Sequence, residues 1–177
     1  MALDLDAWLP RPQVCTRQRR TSRAEPELLW RAAQAVRVRD APVLGRAVRW
    51  RIPGTAPDLT FRELLRSYPF TLLEEGGNWS LSGMCGRIWT LQRDYPRIED
   101  SDQFLAFDQP GTVRVAIAHW IEPGRDGSNA LVSESRVQPV DARGGTRLRM
   151  LWAVVGRFER LVGGEVLRAA VSSAESP

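Results

Sequence analysis

TRLRMLWAVVGRFERLVGGEVLRAAV, residues 146–171, is the stretch whose reading decides the fold. Its apolar residues Leu148, Leu151, Trp152, Val155, Phe158, Leu161, Val162, Val166, Ala169 and Ala170 recur at spacings of three and four, the period of one helical face. Arg147, Arg149, Arg157, Glu159, Arg160 and Arg168 fall between them as a water-facing side. The spacing predicts one long amphipathic helix of roughly 35–40 Å, about the length of a ten- or eleven-residue strand. A helix of that length lies along a sheet. The expected class is α+β: a curved antiparallel β-sheet wrapped around a long C-terminal helix, with short helices between the early strands.

The strands are expected upstream of that helix. GTVRVAIAHWIEP, residues 111–123, alternates Val113, Val115, Ile117, His119 and Ile121 against Arg114, Ala116, Ala118 and Trp120. The turn PGRDGSN returns the chain into ALVSESRVQPV, its antiparallel partner. Further back, FTLLEEG and WSLSGMCGRIWTL flank Gly76, Gly77 and Asn78 and predict a β-hairpin. In its second arm Trp79, Leu81, Gly83, Cys85, Arg87 and Trp89 share one face, and Ser80, Ser82, Met84, Gly86 and Ile88 the other. Met84 and Ile88 argue for one face toward the core and the tryptophans for the other, so the choice stays open. Gly83 and Gly86 are placed to bend a long strand.

In the first third, QVCTRQRRTS (residues 13–22) has the alternation of a strand. Ser22 and Glu25 have capping-box spacing, and Pro26 suits a first helical turn. A helix is expected there, with Leu28, Leu29, Ala32, Ala33 and Val36 as its apolar stripe and Trp30 on its flank. Residues 39–58 are punctuated by proline and glycine and predict a loop with a short helix, a candidate lid or cavity rim. Thr60 and Glu63 repeat the capping-box spacing, and Ser101 is placed to cap a short helix carrying Phe104, Leu105 and Phe107. Residues 91–100 predict an irregular connection. Asp141 to Gly145 lead into the last helix, and the tail from Ser172 is expected to fray. The whole, residues 1–177, reads as one domain with its core at about 13–171.

Composition narrows the function classes. Seven tryptophans and 43% hydrophobic residues can build a substantial core. All 25 basic residues are arginine, set against 21 acidic ones, for a net charge of +4. With no lysine to titrate, that small excess alone lifts the pI to about 10.0. Nucleic-acid binding is therefore not indicated. The N-terminal MALDLDAWLPRP lacks the basic and apolar regions of a secretory signal, and no stretch approaches a membrane span. A cytoplasmic protein without membrane insertion, monomeric or homodimeric, is expected. Cys15 and Cys85 stand far apart and outside any CxxC spacing, and with a single histidine no metal site or cofactor is expected.

PELLW in the first helix, GMCGRIW in the hairpin, FDQPGTVRVAIAHW, the ESRV strand and the tryptophan near the start of the last helix resemble bacterial members of the SRPBCC superfamily. These are the START-like, helix-grip proteins, which include polyketide cyclase/dehydrases and birch-pollen-allergen-like proteins. The resemblance spans about Val14 to Ala170 and its motifs are mostly structural. It implies a deep, largely apolar pocket between sheet and last helix that takes a hydrophobic small molecule or lipid.

Candidate chemistry centres on His119, which shares a face with Val113, Val115 and Ile117. A lone histidine on an apolar face is most often a buried neutral residue with one hydrogen bond. Its functional reading is a polar anchor or general acid/base. Glu134 and Arg136 share a face of the partner strand, and if that face is buried they must pair or bind something. Arg87 could anchor a ligand's carboxylate or enolate, or lie at a rim over Trp89. Met84, Trp89, Val115, Ile117, Arg136, Trp152, Val155 and Phe158 are candidate lining residues, with plain core packing as the alternative. Three functional readings remain: a module enclosing an apolar molecule; a cyclase, aromatase or dehydratase using His119, Glu134 and Arg87; and an interaction protein whose interior is closed.

Overall fold

The computed structural model describes residues 3–90, 95–124 and 126–176, with the side chains of Arg51 and of residues 157–163 outside that description. Five strands form one antiparallel sheet in the order β1-β5-β4-β3-β2. They are β1 (Val14–Ser22), β2 (Thr71–Gly76), β3 (Trp79–Gly86), β4 (Val113–Pro123) and β5 (Asn129–Pro139). The helices are α1 (Leu5–Trp8), α2 (Pro26–Ala35), α3 (Pro42–Arg51), α4 (Phe61–Leu64), α5 (Ser101–Ala106) and α6 (Ala142–Glu175). No helix among the described residues is long and apolar enough to cross a membrane.

Alternation along β4 divides the interior in two. On the inner face, Val113 and Val115 pack with Val14, Met84, Val137 and Leu148, while Ile121 and Leu131 pack with Leu29, Trp30, Val166, Leu167 and Ala170. Leu148 and Ala170 both belong to α6, so that helix runs across the inner face from one end of the strands to the other. It packs on α2, β1 and β5. On the outer face, Leu81, Cys85, Ala116 and Ala118 are covered by Leu5, Leu9 and Phe104. The stretch before residue 13, left outside the core by the sequence reading, is thus a cover for the sheet.

Helix ends depart from expectation where a distant partner replaces a local one. Ser22 closes β1 and makes no capping box; its hydroxyl donates to Glu175 Oε1 at 2.8 Å, and α2 starts at Pro26 behind an uncapped Glu25. Within α2 it is Trp30 that is buried and Leu28 that is exposed. The Thr60–Glu63 box forms as read, whereas α5 is capped by Asp100 and Ser101 Oγ instead donates to Leu73 O at 2.7 Å. Residues 39–58, read as a loop with a short helix, hold the ten-residue α3.

The last helix is longer at both ends than its apolar stripe. It has 34 residues, about 50 Å at 1.5 Å per residue. Asp141 caps it, Oδ1 accepting from Gly144 N at 2.8 Å and Oδ2 from Gly111 N at 3.0 Å. Gly144 is needed inside the first turn because a Cβ there would lie 2.4 Å from Thr112 O. At the other end the expected frayed tail continues the helix to Glu175, with Ala174 buried.

Candidate functional site

His119 sits near the middle of the sheet, and strand register decides what surrounds it. Ser80 of β3 lies opposite on one side and Ser133 of β5 on the other. Nε2 of His119 is 3.1 Å from Ser133 Oγ, and Ser133 is its one hydrogen-bonding side chain among the described residues. Ser82, two residues along from Ser80, shares the inner face. His119, Ser80 and Ser82 border a cavity of about 40 Å³ whose walls are otherwise mostly apolar: Trp30 and Ala33 of α2, Phe61 and Leu65 at α4, Leu131 and Val166. Gln34, Arg62 and Arg66 also line it. Arg66 is ion-paired with Glu75, and Arg62 is exposed.

His119 borders the cavity and is half-buried. Burial pushes its pKa down from 6.5 to about 4, because the cationic form loses hydration that nothing nearby replaces. At neutral pH the ring is uncharged, with one nitrogen a donor and the other an acceptor. It can bond a hydroxyl, carbonyl or amide, or accept a proton.

The other expected site residues do not gather into one site. Met84, Val115, Ile117, Trp89 and Trp152 come together, with Tyr95 and Leu148, between the sheet and the first half of α6. Their side chains form one cluster, and Trp89 Nε1 is buried in it without a hydrogen-bond partner among the described residues. Trp89 shares that side with Met84, not with Cys85 as strict alternation requires. The reason is Gly86, whose φ of +133° ends β3 and breaks the period of two. Val155 is half-buried on α6, and the side chain of Phe158 lies outside the described residues.

Arg87 and Glu134 do not meet His119. Arg87 follows Gly86, which is six residues along β3 from Ser80, or roughly 20 Å at ~3.3 Å per residue. Glu134 and Arg136 lie on the outer face, where Arg136 Nε donates to Glu134 Oε1 at 2.7 Å and Nη1 to Asp6 Oδ1 at 2.5 Å. Cys15 Sγ lies 3.6 Å from the same Glu134 oxygen. Burial and the Glu134 carboxylate raise the Cys15 thiol, and burial pushes the Cys85 thiol up to about 12, so neither is poised as a nucleophile. No group of three or more metal-ligating side chains occurs among the described residues.

No protein family and no curated protein matches the chain. Among solved structures, a hypothetical protein, jhp0584 from Helicobacter pylori, is similar at a TM-score of 0.47 and 9% identity over 99% of this chain and 96% of its own. TTHA0849 from Thermus thermophilus is similar at 0.35 and 12% over 91% and 97%, and Ara h 8.0201 at 0.33 and 12% over 93% and 99%. The fold is a helix grip. That statement rests on the sheet order and the course of α6, and none of these likenesses bears on the chemistry of His119.

Ser80, Ser82 and Ser133 were absent from the candidates drawn from sequence. Serines at strand positions carry no signal until register is known. Ser80 and Ser82 follow once β3 is paired to His119, and that pairing also settles which face of β3 looks inward.

Proposed function

We propose that the protein binds a small, largely apolar molecule carrying one uncharged polar group, held against the inner face of the sheet with that group on His119, beside Ser80 and Ser82. The observation that supports this reading is a neutral histidine, with one ring nitrogen spent on Ser133, at the floor of a cavity whose walls are mostly apolar. Small-molecule sites commonly combine an apolar lining with a few placed polar groups. The cavity of about 40 Å³ has room for roughly three waters at ~10–15 Å³ each. A larger ligand therefore needs α4 and the end of α2 to move outward. Both are short elements at the cavity wall, so such a movement leaves the sheet and α6 intact.

The alternative is catalysis, a cyclase or dehydratase reaction in which His119 moves a proton on an enclosed substrate. With Arg87 and Glu134 elsewhere, the described lining holds Arg62 and Arg66 beside His119 but no carboxylate, and a lone base has to suffice. The deciding experiment is a panel of apolar dyes, fatty alcohols and aromatic ketones, read by thermal shift and titration. Binding is expected to weaken about tenfold or more in His119→Ala and in the cavity-filling Ser80→Leu. A folded protein that binds no panel member would defeat the reading and leave the closed-interior alternative.

A further inference from the structure

Residues 41–57, APVLGRAVRWRIPGTAP, contain three arginines and no acidic residue. Ten of them form α3, whose two sides differ sharply. Leu44 and Val48, with Ile52 just past the helix, pack on the core that includes Trp30, Phe61 and Val166. Val43, Arg46, Ala47, Arg49 and Trp50 face solvent, Val43 at 43% and Trp50 at 72% exposure. Positions 43, 46, 47 and 50 repeat at three and four, so they form one stripe. Arg46 Nε and Arg49 Nε each donate to a carbonyl of their own helix at 3.3 Å, and neither has an acidic partner among the described residues.

An exposed indole flanked by unpaired guanidinium groups suits one kind of surface. At the edge of a bilayer the indole lies at headgroup level with its ring toward the acyl chains, and arginine pairs with phosphate oxygens in two-point fashion. A nucleic acid would use the charge and leave Val43 without a role. A protein partner would meet a stripe lacking any hydroxyl or amide side chain to fix its register. We propose that the outer face of α3 docks the protein on an anionic lipid bilayer, with Val43 and Trp50 in the headgroup layer and Arg46 and Arg49 on lipid phosphates. The inner face of α3 packs on the core cluster to which Trp30 and Phe61 also belong, and those two residues line the cavity, so docking would bring the bilayer to that side of the molecule. This goes beyond the small-molecule reading and does not depend on it.

The test is co-sedimentation of the full chain with vesicles of phosphatidylcholine alone and of phosphatidylcholine mixed with phosphatidylglycerol. Wild type is expected to bind the mixture, to ignore phosphatidylcholine and to release at high salt. Arg46→Gln with Arg49→Gln should weaken binding about thirtyfold. Trp50→Ala should weaken it about tenfold. All three positions are exposed, so circular dichroism should match wild type. Arg143→Gln with Arg147→Gln, at exposed positions on α6, is the control and should stay within about twofold. The proposal is overturned if wild type ignores the mixture, if Trp50→Ala binds as wild type does, or if the α6 pair weakens binding as much as the α3 pair, which would mark diffuse charge attraction.

Discussion

At the scale of single residues, a histidine kept neutral by burial ties stability to pH. His119 titrates at about 4 in the folded chain against 6.5 when exposed, so between those values the unfolded chain binds more protons. Its contribution is fully present above pH 6.5 and is lost as pH falls toward 4, by at most about 3 kcal/mol. Urea unfolding at pH 7 and pH 4.5 should show a larger drop for wild type than for His119→Gln; equal drops would remove the effect. Trp89 offers a second test, because its buried N–H has no partner among the described residues. Trp89→Phe should be neutral or stabilising by up to about 1 kcal/mol, whereas Trp89→Ala should cost about 3 kcal/mol, both read by chemical denaturation. A Trp89→Phe variant that loses as much as the alanine variant would mean that the N–H is satisfied in solution. Of the expected site residues, His119 could be put on the inner face from alternation alone. Arg87 and Glu134 could not be kept from it, because strand ends and register are tertiary facts.

Among the elements, α3 has the least local support. Its N-cap position is Ala41, which offers no side-chain acceptor, and the cap comes from α6: Glu165 Oε2 accepts from Val43 N at 3.0 Å and Leu44 N at 2.9 Å. A carboxylate at a helix N-terminus satisfies orphan donors and complements the helix dipole. Glu165→Ala should cost about 1 kcal/mol. Hydrogen exchange should quicken in residues 43–50 and stay unchanged in β4. Uniform quickening would show that Glu165 supports the whole fold and not α3 in particular. The sequence reading left this helix short because its start signal lies more than a hundred residues away. By contrast, the Thr60–Glu63 box was legible, since both partners of that cap sit in one turn.

Across the whole molecule, the end of β1 and the end of α6 are tied to each other. Ser22 at the end of β1 donates to Glu175 at the end of α6, Arg23 N donates to the same oxygen at 3.1 Å, and Ala174 is buried beside them in the inner core. Truncation after residue 171 should therefore lower Tm by a few degrees, and Ser22→Ala by less. A truncated chain that melts with wild type would make the last turn of α6 dispensable. Periodicity determined the class of this protein: spacings of three and four over 146–171 and of two over 113–123 decide which residues can be buried together, and that requirement is local in sequence. Register, strand ends and distant caps decided the rest. They placed Ser133 and Ser80 beside His119, moved Glu134 and Arg136 to the outer face, and gave α3 its cap from α6. Each of these depends on groups far apart in the chain, whose meeting is fixed only when the sheet closes over the helix.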